Sequence, residues 1–363
     1  LVAHGGETTR GPTRRFRIGA ERESGGAIGR TRRRDEVPSR PFADHAQVVG
    51  ELVVVPIPWP RAGALLSVMD RVGMTTRSRT ERTPTPWASD RPCRFVCQSG
   101  GVAEQQLDGG LANAGQVVRV GPHVLRPSGP HTDSIHAFLR ALRHAGFEGA
   151  SLPVGIDDDG RERLVFIDGD VPVAPYPDWS QSDAALASIA RLLRGLHDAA
   201  RGFDPQGLTW DDALADPAGG TLVCHNDVEP SNVVFRDGIA VALLDFEFAA
   251  PGRPVYDVAH LARLCVPIDD DFDQARLGWR PADRPARLRL VADAYGLDRD
   301  GRVELLTAMD DAMDRVEAAV RRRVDGGDAS YIALWKRTGG RERYDRRRRW
   351  WTDHRDQFAA ALR

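Results

Sequence analysis

The spacing of apolar residues along the chain changes near residue 170. Between residues 106 and 167, short apolar runs are separated by turn-forming residues, a pattern that predicts the strands of a small sheet. After residue 181, apolar residues recur at steps of three and four, which predicts helices with one buried face. Ser182 is the expected N-cap of the first helix, whose apolar stripe comprises Leu186, Ile189, Leu192, Leu193 and Leu196. Stripes over residues 303–320 and 350–362 predict further helices.

Some polar residues in these segments have an ordinary structural interpretation. His197 ends the first helical stripe, where a histidine more often packs or bonds between helices than binds a ligand. The run Asp157-Asp158-Asp159-Gly160 separates two strand-like segments, LPVGI and RLVFI. Because Asp-Gly is a strong turn dipeptide, a hairpin turn is favoured there over a metal site.

A third pattern lies between Thr221 and Glu247. Apolar runs at residues 221–225, 232–235 and 240–244 surround one polar loop, and Asp237-Gly238 separates the last two. This order predicts a strand, a tight loop and a hairpin.

The same stretch brings polar side chains together. The loop would hold Asp227 close to Asn232, and the hairpin would return Asp245 beside them. Hard oxygen ligands of this kind suit Mg²⁺, and a carboxylate can orient an incoming hydroxyl. The arrangement therefore predicts phosphoryl transfer from a nucleotide. Asp and Asn are also common turn formers, so each of these residues taken alone could simply form a turn.

The stretch from His225 to Asp245 resembles the aminoglycoside phosphotransferase family of small-molecule kinases. The shared motif is H-x-D-x-x-x-x-N followed by a strand-ending Asp. The resemblance implies that Asp227 is the catalytic base, that Asn232 and Asp245 are metal ligands, and that His225 braces the loop. A second likeness is GRPVYDVAHLA, residues 252–262, which puts Asp257 at a helix start.

The likeness extends over roughly residues 104 to 363, although only the catalytic stretch is specific. It implies an α+β, two-lobed, protein-kinase-like fold, with a small antiparallel-sheet N-lobe and a larger, mainly helical C-lobe. We accordingly expect an N-lobe over residues 102–170 and a C-lobe over residues 171–363. ATP and Mg²⁺ are the implied cofactors, and a small molecule with a hydroxyl group is the implied acceptor.

Two residues depart from the family pattern. Glu229 follows the expected base by two positions, where many relatives carry a basic or neutral residue, so it faces either the acceptor or solvent. Glu247 stands where protein kinases have glycine after the metal-binding Asp. This second departure points away from a protein kinase.

The nucleotide would also contact the predicted N-lobe. Backbone amides of the Gly-rich segment LDGGLANAG could cover its phosphates, through Gly109, Gly110 and Gly115, although such segments are often plain turns. The end of the last strand could contact adenine through backbone groups of Phe166, Ile167 and Asp168.

A kinase of this fold normally has a phosphate-binding lysine on its third strand. The one lysine of this chain, Lys336, comes far too late in the sequence, and Arg126 stands at the fitting place. An arginine keeps the positive charge and can bind phosphate oxygens in a bidentate way. A solvated strand arginine is the equal alternative. The following helix, near residues 132–145, has no Glu for the usual ion pair, and Asp133 is a helix-start residue.

Composition fits a soluble enzyme with one sizeable core, because 41% of the 363 residues are hydrophobic and 28% are charged. No apolar run is long enough to cross a membrane, and no secretory signal is visible. The four cysteines are few and irregularly spaced, which disfavours a zinc site and fits a reducing cytoplasm: Cys93, Cys97, Cys224 and Cys265.

Charge is unevenly distributed, with a net +7 over residues 1–100 against −9 over residues 101–363. The basic segment lacks apolar periodicity, so we expect residues 1–101 to be a disordered extension or an over-extended start. A nucleic-acid-binding arm is the weaker alternative. Whether this segment belongs to the natural protein stays open, as does the oligomeric state.

The acceptor is the least defined part of the sequence. An acidic group after the Asp257 helix could attract a polycation such as an aminoglycoside, or could be a solvated loop: Asp269, Asp270, Asp271 and Asp273. Choline-like, sugar and macrolide acceptors stay open, as does ATP against GTP. Two alternatives to an enzyme also remain, a catalytically idle nucleotide-binding module and a nucleic-acid-binding protein.

Overall fold

The computed structural model describes residues 104–107 and 116–363. Its first part is a five-stranded antiparallel sheet of order β1-β2-β3-β5-β4. The strands are β1 (Glu104–Leu107), β2 (Val117–Val120), β3 (His123–Pro127), β4 (Pro153–Ile156) and β5 (Arg161–Val165). Helix α1 (Thr132–His144) lies between β3 and β4 in sequence and buries Phe138 and Leu142.

The turn between β4 and β5 contains the three consecutive aspartates. The backbone N–H of Gly160 donates to the Asp157 carbonyl at 2.9 Å, and Gly160 has φ +82°. The side chains of Asp157 and Asp159 bind Arg163 and Arg161 across and beside the turn. The predicted hairpin is confirmed, and the carboxylates of Asp157 and Asp159 accept hydrogen bonds from arginines of strand β5.

The second part is mainly helical. Its helices are α2 (Asp183–Ala200), α3 (Pro254–Cys265), α4 (Asp271–Arg276), α5 (Arg284–Tyr295), α6 (Arg299–Asp325), α7 (Ala329–Arg337) and α8 (Gly340–Leu362). The Ser182 side chain accepts from the Ala185 N–H at the start of α2, as predicted. The predicted stripe of α2 lies in the main core, with Leu192 at its partly buried edge. Among the described residues, no helix is long and apolar enough to cross a membrane.

Two small antiparallel sheets lie between α2 and α3 in sequence. Strand β6 (Leu222–Cys224) pairs with β9 (Ala250–Gly252), and β7 (Val233–Arg236) pairs with β8 (Ile239–Leu243). Asp237 and Gly238 both have positive φ, 52° and 75°, the conformation that two-residue hairpin turns require. The predicted strand, loop and hairpin are therefore confirmed, and the polar loop spans the gap between β6 and β7.

The segment after β5 is tied to β7 by its backbone. The Asp170 N–H donates to the Phe235 carbonyl, and the Phe235 N–H donates to Asp170, both at 2.8 Å. Gly169 has φ +146°, and a Cβ there would lie 2.6 Å from the Phe235 carbonyl oxygen. Only glycine fits this close approach, so the linker between the sheet and the helices has a fixed position beside the polar loop.

The predicted Gly-rich cover, the first two cysteines and the basic extension lie outside the described residues: Gly109, Gly110, Gly115, Cys93, Cys97 and residues 1–101. Within the described part, Cys224 and Cys265 are free and buried.

Candidate active site

The loop between β6 and β7 is buried, although most of its residues are polar. His225, Asn226 and Asp227 have no exposed surface, and Asn232 is almost fully buried. The Asn232 amide donates to both the backbone carbonyl and the carboxylate of Asp227, each at 3.0 Å. The structure therefore brings together the predicted base and one predicted metal ligand, and it fixes the orientation of the Asp227 side chain.

A buried carboxylate on α3 holds this loop. Asp257 accepts the backbone N–H groups of His225 at 2.7 Å and Asn226 at 2.9 Å. It also accepts from His197 Nε2 at 2.9 Å, while His197 Nδ1 lies 2.6 Å from the Tyr295 hydroxyl. Burial alone would raise the pKa of Asp257, but the histidine bond and nearby histidine charges lower it. His197 thus has the interhelical role that its position predicted.

The His225 ring makes two hydrogen bonds, one inside its own loop and one to the end of β8. Its Nδ1 lies 3.2 Å from the Asp227 N–H, and its Nε2 lies 2.8 Å from the Leu244 carbonyl. A neutral ring that accepts at Nδ1 and donates at Nε2 satisfies both contacts. Burial lowers the pKa of His225, in keeping with that neutral form. The ring links the loop to the end of β8, directly before Asp245.

Asp245 follows β8 in a left-handed backbone conformation, φ 61°. This conformation is uncommon for a residue with a side chain, and Asp and Asn tolerate it best. The Asp245 carboxylate accepts from Arg126 Nη1 at 2.8 Å. Arg126 lies on β3, so this contact joins the five-stranded sheet to the hairpin behind the catalytic loop.

Arg126 has a second, buried partner that the sequence interpretation missed. Its Nε donates to Glu162 on β5 at 2.5 Å, and the other Glu162 oxygen lies 2.8 Å from His136 Nε2 on α1. Burial would lower the Arg126 pKa, but Glu162 and Asp245 outweigh it and raise the value. Glu162 stands directly opposite Arg126 in the strand register, the one signal that could have identified it. Arg126, Glu162 and His136 thus form one buried polar network.

Four carboxyl groups face one another around the loop. Burial, joined by neighbouring carboxylates, raises the pKa of Asp227 well above its usual range. For Glu229 and Glu247, burial and the Asp245 charge raise the pKa to about 8. Among the described residues, the Asn232 Oδ1 has no hydrogen-bond partner. Carboxyl oxygens with raised proton affinity beside an unused amide oxygen are a donor set that fits a hard divalent cation such as Mg²⁺.

The comparisons with known proteins agree with this geometry. A model of the phosphotransferase enzyme family matches residues 201–290, which include the catalytic loop. The trifolitoxin immunity protein of Rhizobium leguminosarum bv. trifolii is 33% identical over 258 residues, covering 68% of this chain and 94% of that protein.

The chain belongs to the aminoglycoside phosphotransferase family. Among solved structures, a choline/ethanolamine kinase family protein from Mesorhizobium loti matches with a TM-score of 0.50 and 17% identity. The match covers 75% of this chain and 95% of that one. This likeness concerns the fold, and it confirms the predicted α+β, protein-kinase-like architecture.

The expected adenine-contacting segment lies where β5 leads into the linker. The Phe166 N–H donates to the Pro122 carbonyl at 2.8 Å, and its ring lies under the Arg119 guanidinium at 3.8 Å. The Asp168 carbonyl accepts from Arg236 Nε at 3.0 Å. Protein partners therefore occupy part of the Phe166 and Asp168 backbone. Ile167, between them, makes no loop or turn backbone hydrogen bond to another described residue.

Neither a solvated loop nor an open acidic surface describes three of the four aspartates near α4. Asp270 and Asp273 are buried, and the side chain of Asp269 is only 14% exposed. They pair with arginines instead of solvent: Asp269 with Arg347, and Asp273 with Arg276 and Arg343. Asp271 is exposed and pairs with Arg284. These carboxylates anchor α8 and offer no open surface to a polycation.

Of the two orientations expected for Glu229, toward the acceptor or toward solvent, burial excludes the second. It is 2% exposed and accepts from the Ser231 hydroxyl at 2.5 Å. It lines a narrow cavity of about 60 Å³ at the junction of the catalytic loop with α3 and α8, together with Tyr176, Arg263, Trp279 and Arg347. This cavity lies on the side of the loop where an acceptor could approach.

Proposed function

We propose that the protein is an ATP-dependent O-phosphotransferase that moves a γ-phosphoryl group to a hydroxyl of a small molecule. The observation that carries this proposal is a pair of contacts, Asn232 with Asp227 at 3.0 Å and Arg126 with Asp245 at 2.8 Å. The Leu244 N–H, which donates to the Asn232 carbonyl at 2.8 Å, ties the residue before Asp245 to the loop. Arg126 comes from the five-stranded sheet and the other three from the loop and its hairpin. Family membership supports the same reaction class.

In the proposed reaction, Asp227 accepts the proton of the acceptor hydroxyl. The acceptor oxygen then forms a bond to the γ-phosphorus as the bond from that phosphorus to the β–γ bridging oxygen breaks, so ADP leaves. The Asn232 amide keeps the Asp227 carboxylate aimed at the hydroxyl. A near-attack geometry of this kind removes much of the entropic part of the barrier.

Asn232 Oδ1 and Asp245 are the residues that would hold Mg²⁺. When bound, the ion supplies charge neutralisation between the phosphate groups. Arg126 would bind α- and β-phosphate oxygens in place of the family lysine. Glu162 and His136 would keep its guanidinium on the nucleotide side of β3 through the contacts described above.

The test is nucleotide consumption by the full chain with aminoglycosides, macrolides, sugars and amino alcohols. Asp245→Asn keeps the side-chain size and the tolerance for positive φ, but removes the charge. We expect this variant to lose turnover, while Asp293→Asn, an exposed change on α5, keeps it. Near-normal phosphorylation by Asp245→Asn would contradict the metal assignment. Binding of Mg-ATP without consumption across the whole panel would instead favour the idle nucleotide-binding module.

The name of the curated relative adds one acceptor class. That protein is described as an immunity protein. We therefore include toxic natural products in the panel, and we propose that phosphorylation of such a compound would abolish its toxicity. Growth protection that requires an intact Asp227 would support this extension.

A further inference from the structure

The cavity beside the catalytic loop has an unusual charge distribution. Arg263 lies on α3, is 4% exposed and lines the cavity. Its Nε and Nη2 atoms are buried and have no hydrogen-bond partner among the described residues. No carboxylate in that part of the chain forms an ion pair with it. A buried guanidinium without a partner is costly unless something else binds it.

The neighbouring charges compensate Arg263 only in part. Burial lowers its pKa to about 10, and the charges of Arg347 and Arg343 act in the same direction, with Asp269 opposing them. Among the charged residues that line the cavity, three arginines stand against two carboxyl groups: Arg263, Arg343 and Arg347 against Asp269 and Glu229. Asp269 is paired with Arg347, and the pKa of Glu229 is raised to about 8, which leaves an excess of positive charge.

The cavity is continuous with the catalytic machinery. Glu229 forms part of its wall, and Tyr176 lines it on the same side. Arg263 is close enough to Asp227 and Glu229 for its charge to lower the pKa of both carboxyl groups. A molecule that entered this space would therefore contact Arg263 and the Glu229 wall, two residues along the chain from Asp227.

The remaining walls are aromatic and apolar. Tyr176 and Trp279 pack together with ring centroids 4.8 Å apart, and Leu277 and Tyr344 complete that surface. Such walls suit an apolar or aromatic body, while a cation such as an aminoglycoside amine would meet the arginine excess. At about 60 Å³, the space as it stands admits a small terminal group.

We propose that this cavity is the acceptor subsite, and that it selects hydroxyl compounds carrying a carboxylate, which Arg263 binds. The proposal rests on the phosphotransferase function proposed above. It names the acceptor class as hydroxy acids whose carboxylate end is small enough to enter the cavity, and it separates this chain from relatives that act on cationic compounds.

The experiment compares acceptors that differ only in charge. One set is p-hydroxyphenylacetate, p-hydroxyphenylacetamide and tyramine; the other is glycolate, glycolamide and ethanolamine. Binding is measured by calorimetry and turnover by nucleotide consumption, both with Mg-ATP present. We expect the acid of at least one set to bind about tenfold or more tightly than its amide, and the amine to bind most weakly, since one charge-assisted hydrogen bond is worth about that factor.

Arg263→Met tests the residue itself. This variant should lose the preference for the acid and keep its affinity for the amide, and it should unfold at the same or a higher temperature because a buried charge is gone. Arg194→Gln, an exposed change on α2, is the matched control and should keep the acid preference. Rescue by Arg263→Lys of part of the preference would be a further sign of a charge effect.

The outcomes separate the two proposals. Equal binding of acid and amide in both sets, or a preference for the amine, overturns the assignment of the subsite, even when some acceptor is phosphorylated. Acid-selective binding that depends on Arg263, without nucleotide consumption, supports the subsite and rejects the phosphotransferase function. Acid preference that survives in Arg263→Met also overturns the assignment.

Discussion

Replacing Asp257 by Asn should reveal how the catalytic loop is held. The carboxylate accepts three hydrogen bonds, from the His225 and Asn226 backbone N–H groups and from His197 Nε2. An amide has one acceptor oxygen, so its NH₂ group must face at least one of these donors. The residue is fully buried, and water cannot replace the lost partner.

The magnitude follows from those contacts. Loss of one charge-assisted bond costs about 1.5–3 kcal/mol, and a buried donor left without a partner costs about 1–3 kcal/mol. We therefore expect Asp257→Asn to lower the free energy of unfolding by about 3–5 kcal/mol. Because the backbone before Asp227 loses its anchors, kcat should also fall by about tenfold or more.

Urea denaturation and steady-state kinetics measure both effects. Asp283→Asn is the matched control, since Asp283 caps α5 in an exposed position and accepts from the Ala286 N–H at 3.0 Å. Asn and Asp are equivalent N-caps, so this control should stay within about 0.5 kcal/mol of the parent protein. If Asp257→Asn were no less stable than Asp283→Asn, the bracing role of Asp257 would be refuted.

Three further outcomes are expected. Glu162→Gln should lower the free energy of unfolding by about 1.5–3 kcal/mol and raise the nucleotide KM. Asp159→Asn, at a half-exposed pair, should leave stability nearly unchanged, and equal losses in the two variants would contradict the Arg126 support. Gly169→Ala should destabilise measurably, because its Cβ would contact the Phe235 carbonyl, while Gly155→Ala has open space and should not; equal melting temperatures would contradict that contact. Burial opposes ionisation of Asp269, but Arg347 lowers the pKa of this carboxyl group in the folded protein. The Asp269–Arg347 pair therefore stabilises the fold fully above about pH 4, and this stabilisation is lost as the pH falls through the folded-state pKa. The difference in stability between the parent protein and Asp269→Asn should close in acid denaturation, and a difference independent of pH would refute the pairing.

The sequence predicted the elements well where local chemistry decides them. Asp237-Gly238 specified the β7–β8 turn, Asp-Gly specified the β4–β5 turn, and Ser182 specified the start of α2. These signals lie within a few residues of the structure they determine. The H-x-D-x-x-x-x-N spacing likewise located the loop that carries Asp227 and Asn232.

Contacts between distant segments were not predictable in the same way. Glu162 and His136 reach Arg126 only because β5 pairs with β3 and α1 packs nearby. The aspartates near α4 looked like a free acidic group, because their arginine partners on α8 follow about 70 residues later in the chain. Composition gives the net charge of a segment, but whether these aspartates pair with arginines depends on how α8 packs against them.

The proposed use of Arg126 in place of a lysine has a practical consequence. Nucleotide analogues that label kinases by acylating a lysine side chain require a lysine amine next to the bound phosphates. This chain has a single lysine, Lys336 on α7, and a guanidinium stays protonated and resists acylation. Chemical surveys that find kinases through that labelling step would therefore miss this protein, while inhibitors that rely on reversible contacts would still reach it.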